Sequence, residues 1–209
     1  MEKSTNISTE GMWKTKLPTE YELKMLVLTN DPILNILERY VRNFYWRDIY
    51  KCFRMSMAVV NIYMKHFPLN NLAVVIDLDE TFLQNASFAP TITKLWRKPR
   101  FYDLLAKQDM GAVLPYMIIF YEYILSKGIK PIFLTGRNQR LRELTIKNLE
   151  LFGVRDYVLY MNSIKDSRKF KNMIYNTIKL QYNIICVLND QDEINTINHI
   201  KFPQLYRIP

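Results

Sequence analysis

The chain has 209 residues, of which 49% are apolar and 23% are charged. This length suits one α/β domain with a helical extension, and the apolar content excludes a chain that is disordered throughout. The formal net charge is +9. Such a charge would suit an acidic partner, but a solvated basic surface is the commoner cause, so we do not expect a nucleic-acid partner.

The first twenty residues contain no apolar segment after their charges, so we predict no secretory signal and expect a cytoplasmic or otherwise intracellular protein. The abundance of Asn, Ile, Lys and Tyr is typical of AT-rich genomes, including those of viruses. The longest apolar run, Ala112 to Leu125, is interrupted by Pro115 and Glu122. It is too short to cross a bilayer, and we expect no membrane association.

The sequence divides into three parts. Residues 1–29 have weak periodicity and are predicted to form a polar arm. Residues 30–68 are predicted to form a helical extension, because Asn30-Asp31-Pro32 suits a helix start, apolar residues then recur at helical spacing, and Pro68 ends the pattern. Residues 69–209 form the predicted main domain.

A short strand followed by two carboxylates opens the main domain. Leu72 to Ile76 is wholly apolar and rich in β-branched residues, which is typical of a central parallel strand buried on both faces. Asp77 and Asp79 follow it directly. Ligands in open α/β sheets bind beyond the carboxyl ends of such strands, so we expect both carboxylates at a binding site.

Phe82 to Asp109 is irregular and is predicted to form a loop or small cap, and strands and helices alternate after it. Short connections of this kind predict a Rossmann-like α/β fold, a parallel sheet flanked by helices. The first predicted helix runs from Gly111 to Gly128, with Leu114, Ile118, Tyr121 and Leu125 facing inward. Two further helices are predicted, from Asn138 to Phe152 and from the basic run Lys165 to Lys171 to about Gln181. The predicted strands are Lys130 to Leu134, Tyr157 to Met161, Ile184 to Leu188 and an edge strand within Phe202 to Ile208. Cys52 and Cys186 lie in apolar runs and are predicted to be buried thiols rather than a disulfide.

Two motifs resemble a known family. Asp77-Leu78-Asp79-Glu80-Thr81 resembles the first motif of the haloacid dehalogenase (HAD) superfamily of phosphotransferases. Phe133-Leu134-Thr135-Gly136-Arg137, with Arg142, Thr145 and Asn148-Leu149 after it, resembles the second motif of the class B-like acid phosphatases. That branch includes the plant acid phosphatases and vegetative storage proteins, and the similarity runs from about Leu17 to the C-terminus.

The resemblance implies a HAD fold and a Mg²⁺-dependent phosphomonoester hydrolase that acts through an aspartyl-phosphate on small phosphorylated metabolites or nucleotides. Asp77 would be the nucleophile, and Asp79 would carry the proton to the leaving oxygen and later activate water. Thr135 and Gly136 would bind the phosphoryl group. Asp77, Asp79 through its carbonyl, and Asp190 would hold Mg²⁺.

The resemblance also implies a lysine that neutralises the phosphoryl and aspartate charges. Lys169 has about the family's separation from Asp190 and is our first choice. Lys165 instead matches a family Lys-Ser-x-Arg pattern, and Lys171 is the third choice. We therefore predict Lys169 and Lys165 as phosphate-binding residues, with Lys169 in the catalytic set.

The fourth segment of the site departs from the family. Asn189 precedes Asp190 where the family has glycine, and Ile194 occupies a position where the family has a second acid. Asp192, Glu193 or Asn195 are the candidates to replace that acid. The loss motivates an alternative in which the chain is a degenerate, non-catalytic storage or interaction protein.

A further alternative is a protein phosphatase of the RNA-polymerase-tail type, which also uses Asp-Leu-Asp-Glu-Thr. The Leu-Thr-Gly-Arg motif and the upstream helices argue against it. The expected partner is thus a small phosphorylated substrate, and the sequence leaves a homo-oligomer open.

Overall fold

A parallel β-sheet with five strands lies at the centre of the part of the chain that the structure describes. The structure is a computed structural model, and it describes residues 46–66, 70–84, 112–114, 116–192, 194, 196 and 198–203. Its strands are β1 (Leu72–Ile76), β4 (Lys130–Asn138), β5 (Val158–Asn162), β6 (Asn183–Asn189) and β7 (His199–Lys201). Their order in the sheet is β5-β4-β1-β6-β7. β2 (Leu83–Gln84) and β3 (Ala112–Val113) pair in a separate antiparallel two-stranded sheet.

The central strand β1 is buried along its whole length, as its apolar sequence predicts. Successive side chains of a strand point to opposite faces of the sheet. Val74 and Ile76 therefore pack into one apolar cluster, whereas Ala73 and Val75 pack into the other. Both faces of the sheet are covered, which is the arrangement that doubly wound α/β proteins adopt.

Within the described residues, helices cover the two faces of the sheet unequally. Three of the four described helices contribute buried residues to the cluster that contains Val74 and Ile76. The fourth contributes Phe170, Tyr175 and Ile178 to the cluster on the other face. In chain order the helices are α1 (Trp46–His66), α2 (Met117–Ser126), α3 (Arg142–Leu151) and α4 (Ser167–Ile178), with one turn of 3-10 helix (Gln139–Leu141) ahead of α3.

The predicted helix from Gly111 to Gly128 is shorter than its sequence pattern indicates. Ala112–Val113 instead forms β3, which pairs with β2, and the helix begins only at Met117. The Leu114 amide donates to the Phe82 carbonyl at 2.9 Å, which holds this stretch to the hairpin. The buried residues of α2 are Met117, Phe120, Tyr121 and Ile124. Of the predicted inward set, Tyr121 is among them, Leu114 is buried just ahead of the helix, and Ile118 and Leu125 are half-buried and pack against the same cluster.

The other elements lie close to their predicted positions, with two differences. β4 continues past Leu134 to Asn138, with a register shift against β5 between Thr135 and Asn138. His199–Lys201 forms an edge strand just ahead of the predicted range Phe202–Ile208, most of which lies outside the described residues. Phe202 follows it and is buried, and residues 204–209 lie outside the described part of the chain.

The three predicted parts are covered to different extents. The arm, residues 1–29, lies outside the described residues, and α1 falls within the predicted extension of residues 30–68. α1 packs on β6, β7 and α2. Within the described residues, no helix combines the length and apolar character that crossing a bilayer requires.

Both cysteines are buried thiols, as predicted from their apolar surroundings. Burial raises the pKa of Cys186 to about 12. Burial, with a smaller contribution from Asp48, raises the pKa of Cys52 to about 11. Neither thiol is therefore a nucleophile at neutral pH.

Candidate active site

Asp77, Thr135 and Asp190, three of the predicted site residues, lie at the carboxyl edge of the sheet. Ile76, the last residue of β1, pairs with Phe133 of β4 on one side and Leu188 of β6 on the other. Asp77 continues this ladder, since its amide donates to the Leu188 carbonyl at 2.9 Å. Adjacent strands lie about 4.8 Å apart. Thr135 and Asp190, each two residues beyond these partners, therefore flank Asp77 at the same edge.

A tight turn follows Asp77 and places Asp79. The carbonyl of Leu78 accepts from the amides of Phe82 at 3.0 Å and Leu83 at 2.7 Å, so the chain folds back at once. Glu80 adopts φ 58°, a left-handed conformation that is uncommon for a residue with a side chain. Leu78 is fully buried between the two aspartates. The turn thus keeps both carboxylates at the sheet edge while an apolar anchor holds the backbone between them.

Asp77 forms a buried ion pair with Lys171. The Lys171 Nζ lies 3.1 Å from Asp77 Oδ1, and the side chains are only 3% and 6% exposed. Lys171 is carried by α4, whose buried side includes Phe170 and Tyr175. A buried amine beside a buried carboxylate lowers the cost of bringing a second anion to the same place.

Lys169 and Lys165, our first choices for this role, are both exposed. Lys169 and Lys171 are two residues apart on one helix, so about 200° separates their directions and only one of them can face the sheet. Lys165 precedes α4 altogether. The geometry therefore favours Lys171, the third choice, as the charge-neutralising lysine.

Asp79 is held by Arg137 of the second motif. Arg137 Nη2 lies 2.7 Å from Asp79 Oδ1, and Arg137 Nε lies 3.0 Å from Oδ1 and 3.1 Å from Oδ2. The side chains are 3% and 13% exposed, respectively. Forked contacts of this kind fix the plane of a carboxylate as well as its position.

Thr135 and Gly136 form the wall of the site that β4 supplies. Thr135 is fully buried, and its Oγ1 accepts a hydrogen bond from the Arg137 amide at 3.1 Å. The hydroxyl keeps its own hydrogen for another acceptor, such as a phosphoryl oxygen. Gly136 lies close to α4, because a Cβ there would lie 2.7 Å from Ser167 Oγ at the start of α4, so that the serine side chain would have to move.

Among its described residues, the fourth segment brings Asp190, but no second acid, to the sheet edge. Asp190 is buried directly after β6, and the Asn189 side chain accepts from the Gln191 amide at 3.1 Å. Ile194 is 3% exposed and belongs to the apolar cluster around Val75. Asp192 is exposed and forms an ion pair with Lys201, so it does not replace the missing acid, and Glu193 and Asn195 lie outside the described residues.

The charges at this edge do not balance within the described residues. Asp77, Asp79, Asp190 and Glu80, which is buried in the same turn as Asp79, supply four carboxyl groups, whereas Lys171 and Arg137 supply two cations. His199 begins β7 next to β6, and burial lowers its pKa, so it is neutral at pH 7 and adds no charge. One further cation would compensate this excess of negative charge.

The residues present fit a magnesium ion. Among the described residues no three His, Cys, Asp or Glu side chains are grouped as a metal cage. Mg²⁺ does not need such a cage, because it is usually bound by one or two carboxylates, substrate phosphate and water. The Asp77 and Asp190 carboxylates with the Asp79 carbonyl would supply that set of oxygen donors, and Asp190 Oδ1 is a buried atom that receives no hydrogen bond.

Comparison with known proteins agrees with this geometry. The model of a family described as HAD superfamily, subfamily IIIB (acid phosphatase) matches residues 23–204. The chain therefore belongs to this family, and the resemblance of its motifs is confirmed.

Vegetative storage protein 1 of Arabidopsis thaliana is 29% identical to the chain over 140 residues. The match covers 62% of this chain and 52% of the storage protein, so the chain spans about half the length of that relative. A class C acid phosphatase from Bacillus anthracis with tungstate bound shares the fold, with a TM-score of 0.70 and 18% identity over 80% of this chain and 82% of that one. A second structure of that enzyme has a TM-score of 0.69, also at 18% identity and with the same coverage. The predicted HAD-like α/β fold is thus confirmed.

Two residues of the site, Lys171 and Arg137, have larger structural roles than the sequence motifs indicate. Lys171 shares the inward stripe of α4 with Tyr175, four residues on, and Ile178, seven residues on, so the helical phase could have selected it. Arg137 was recognised only as part of a motif. Its pairing with Asp79, 58 positions earlier, leaves no signal in a single sequence.

Proposed function

We propose that the chain is a Mg²⁺-dependent phosphomonoester hydrolase that works through an aspartyl-phosphate on Asp77. The observation that carries this proposal is the buried Asp77–Lys171 pair at the carboxyl edge of the sheet. Thr135 and Asp190 flank it on the neighbouring strands. Family membership supports the same reaction class, and the substrate class we propose is small phosphorylated metabolites or nucleotides.

The first step transfers the phosphoryl group to the protein. An Asp77 carboxylate oxygen attacks phosphorus while the ester P–O bond breaks, and Asp79 gives its proton to the departing oxygen. Lys171 and the Thr135 hydroxyl compensate the charge on the phosphoryl oxygens. The products of this step are an alcohol and an aspartyl-phosphate.

The second step releases phosphate. Asp79, now ionised, takes a proton from water, and the resulting hydroxide attacks phosphorus. The bond from phosphorus to the Asp77 oxygen breaks, which restores the carboxylate. Bound Mg²⁺ would supply positive charge that lets two anions approach each other, and Asp77, Asp190 and the Asp79 carbonyl would hold it.

A non-catalytic storage or interaction role is the second candidate. The similarity to a vegetative storage protein and the replacement of an acid by Ile194 favour it. The nucleophile and its lysine are present and buried, and the half-buried proton carrier lies two residues further along the same turn, which supports catalysis. No described feature favours the RNA-polymerase-tail phosphatase alternative.

The test is hydrolysis of para-nitrophenyl phosphate with Mg²⁺. We expect turnover by the wild type, loss of turnover when a chelator removes the metal, and a decrease on the order of 10³-fold or more in Asp77→Asn. Asp156→Asn is the matched control, because Asp156 is exposed, with 66% of its side chain accessible, and lies ahead of β5 at the opposite edge of the sheet. Equal rates for the wild type and Asp77→Asn would refute the proposal, and an inactive wild type with an intact fold would favour the storage role.

A further inference from the structure

Arg137 links the second motif to the proton-carrying residue of the first. Its guanidinium makes three contacts with Asp79, of which the shortest is 2.7 Å. Arg137 also contacts α3, since its Nη1 donates to the Thr145 hydroxyl at 3.4 Å. Thr145 is fully buried and Arg137 nearly so. The guanidinium of Arg137 is therefore held by Asp79 through Nε and Nη2 and by Thr145 through Nη1.

We propose that Arg137 is a positioning residue that orients the Asp79 carboxyl for proton transfer, and that Thr145 holds the arginine in place. This inference rests on the proposed function, because it assigns a role within that reaction. The torsion that rotates an aspartate carboxyl about its own axis is soft and has no sharp minimum. A planar guanidinium that binds the carboxyl edge removes this freedom, which a lysine could not do.

The contacts distinguish the two oxygens of Asp79. Oδ1 accepts from Nη2 at 2.7 Å and from Nε at 3.0 Å, whereas Oδ2 accepts only from Nε among these contacts, at 3.1 Å. A proton on Oδ1 would compete with two donors. The geometry therefore assigns the transferred proton to Oδ2: it moves from Oδ2 to the leaving oxygen in the first step and from water to Oδ2 in the second.

The competing explanation is that Arg137 binds the phosphoryl group of the substrate directly. The two roles predict different dependences on the leaving group. Para-nitrophenolate departs readily without a proton, whereas ethoxide needs one. An arginine that acts through Asp79 matters mainly for ethyl phosphate, but one that binds the phosphoryl group matters equally for both esters, because both carry the same phosphoryl group.

The experiment measures kcat/KM for both esters, since this constant covers only the steps up to departure of the leaving group. For Arg137→Gln we expect a decrease of at least about 100-fold with ethyl phosphate and less than about tenfold with para-nitrophenyl phosphate. Arg137→Lys should show the same pattern. Thr145→Val removes only one hydrogen-bond acceptor of Arg137, so it should lower kcat/KM for ethyl phosphate by about fivefold and that for para-nitrophenyl phosphate by less.

A double variant separates positioning from a general structural effect. If Arg137 acts through Asp79, then Arg137→Gln combined with Asp79→Asn hydrolyses ethyl phosphate no more slowly than Asp79→Asn alone. Arg155→Gln is the matched control, because Arg155 is exposed and lies ahead of β5, away from the site. If Arg137→Gln does not fold, Thr145→Val provides the same comparison of esters.

Three results would overturn the inference: equal losses on the two esters, full activity of Arg137→Lys, or additive losses in the double variant. These results differ from the result that would refute the proposed function. If the proposed function is wrong, Asp77→Asn is active. If only the role of Arg137 is wrong, Asp77→Asn stays inactive and the pattern across esters and variants changes.

Discussion

The two aspartates of the first motif are paired with two different kinds of cation. Asp77 contacts the amine of Lys171 at one oxygen, 3.1 Å away. Asp79 is bound along its edge by the fork of Arg137, and it is the more exposed of the two, at 13% against 6%. An amine is a compact charge on a flexible stem, whereas a guanidinium imposes orientation.

The difference matches the work that each carboxylate would do. A nucleophile must approach an anion, so it needs its charge compensated while one oxygen stays available for attack. A proton carrier must present one oxygen to the leaving group and later to water, so it needs a fixed direction. Two residues that are equivalent in a sequence motif are thus distinguished by partners from α4 and β4.

The largest expected effect separates the two lysines of α4. Lys171→Met should lower kcat/KM for para-nitrophenyl phosphate by about 10²- to 10³-fold, because the phosphoryl group would meet an uncompensated Asp77. Lys169→Met should change it by less than about twofold, since Lys169 is exposed and surface charges contribute little. Steady-state kinetics of both variants decides the assignment, and the reverse order of effects would restore Lys169 as the catalytic lysine.

The second effect concerns stability and compares the two ion pairs. Lys171→Met alone should lower the free energy of unfolding by about 3–5 kcal/mol, because it leaves Asp77 buried without its cation. Lys171→Met with Asp77→Asn should lower it by much less. The same cycle at Arg137 and Asp79 should give a smaller coupling, since solvent reaches Asp79.

Urea unfolding of the single and double variants measures both couplings. The double-mutant cycle isolates the interaction only if each variant keeps the native fold, which circular dichroism checks. Additive costs at Asp77 and Lys171 would show that the buried pair does not contribute as a unit.

The smallest expected effect concerns the contact between Gly136 in the second motif and Ser167 at the start of α4. In Gly136→Ala the new methyl group would lie 2.7 Å from Ser167 Oγ, so we expect a loss of about 1 kcal/mol, or about 2–4 °C in the melting temperature. Combining it with Ser167→Ala removes that oxygen and leaves a contact of 3.7 Å with the Ser167 Cβ. Thermal unfolding of the double variant should therefore show at least partial recovery relative to Gly136→Ala.

Much of the fold could be predicted from the sequence, because its main signals are local. Leu72–Ile76 is a continuous apolar run, and all five residues are buried in a central strand. The alternation of strands and helices then defined the parallel sheet. The position of Asp77 and Asp79 just beyond β1 followed from the same pattern.

The errors arose where distant residues decide the structure. Ala112–Val113 pairs with Leu83–Gln84, almost thirty positions earlier, so its helical spacing was misleading. The lysine was chosen by counting along the chain, although the face of α4 that meets the sheet decides it. The contact between Arg137 and Asp79 could not be predicted, because Arg137 lies on β4 whereas Asp79 lies in the turn after β1.

Ile194 occupies the core at the position where an acid would extend the metal site. Its side chain is packed with Val75 and Phe170 inside the sheet's covering layer, so this position now belongs to the core. An aspartate placed there by one substitution would be buried among apolar side chains at a cost of several kcal/mol, comparable to the whole stability of many domains. An acid at this position would therefore need compensating changes in the residues around it before it could contribute to a metal site.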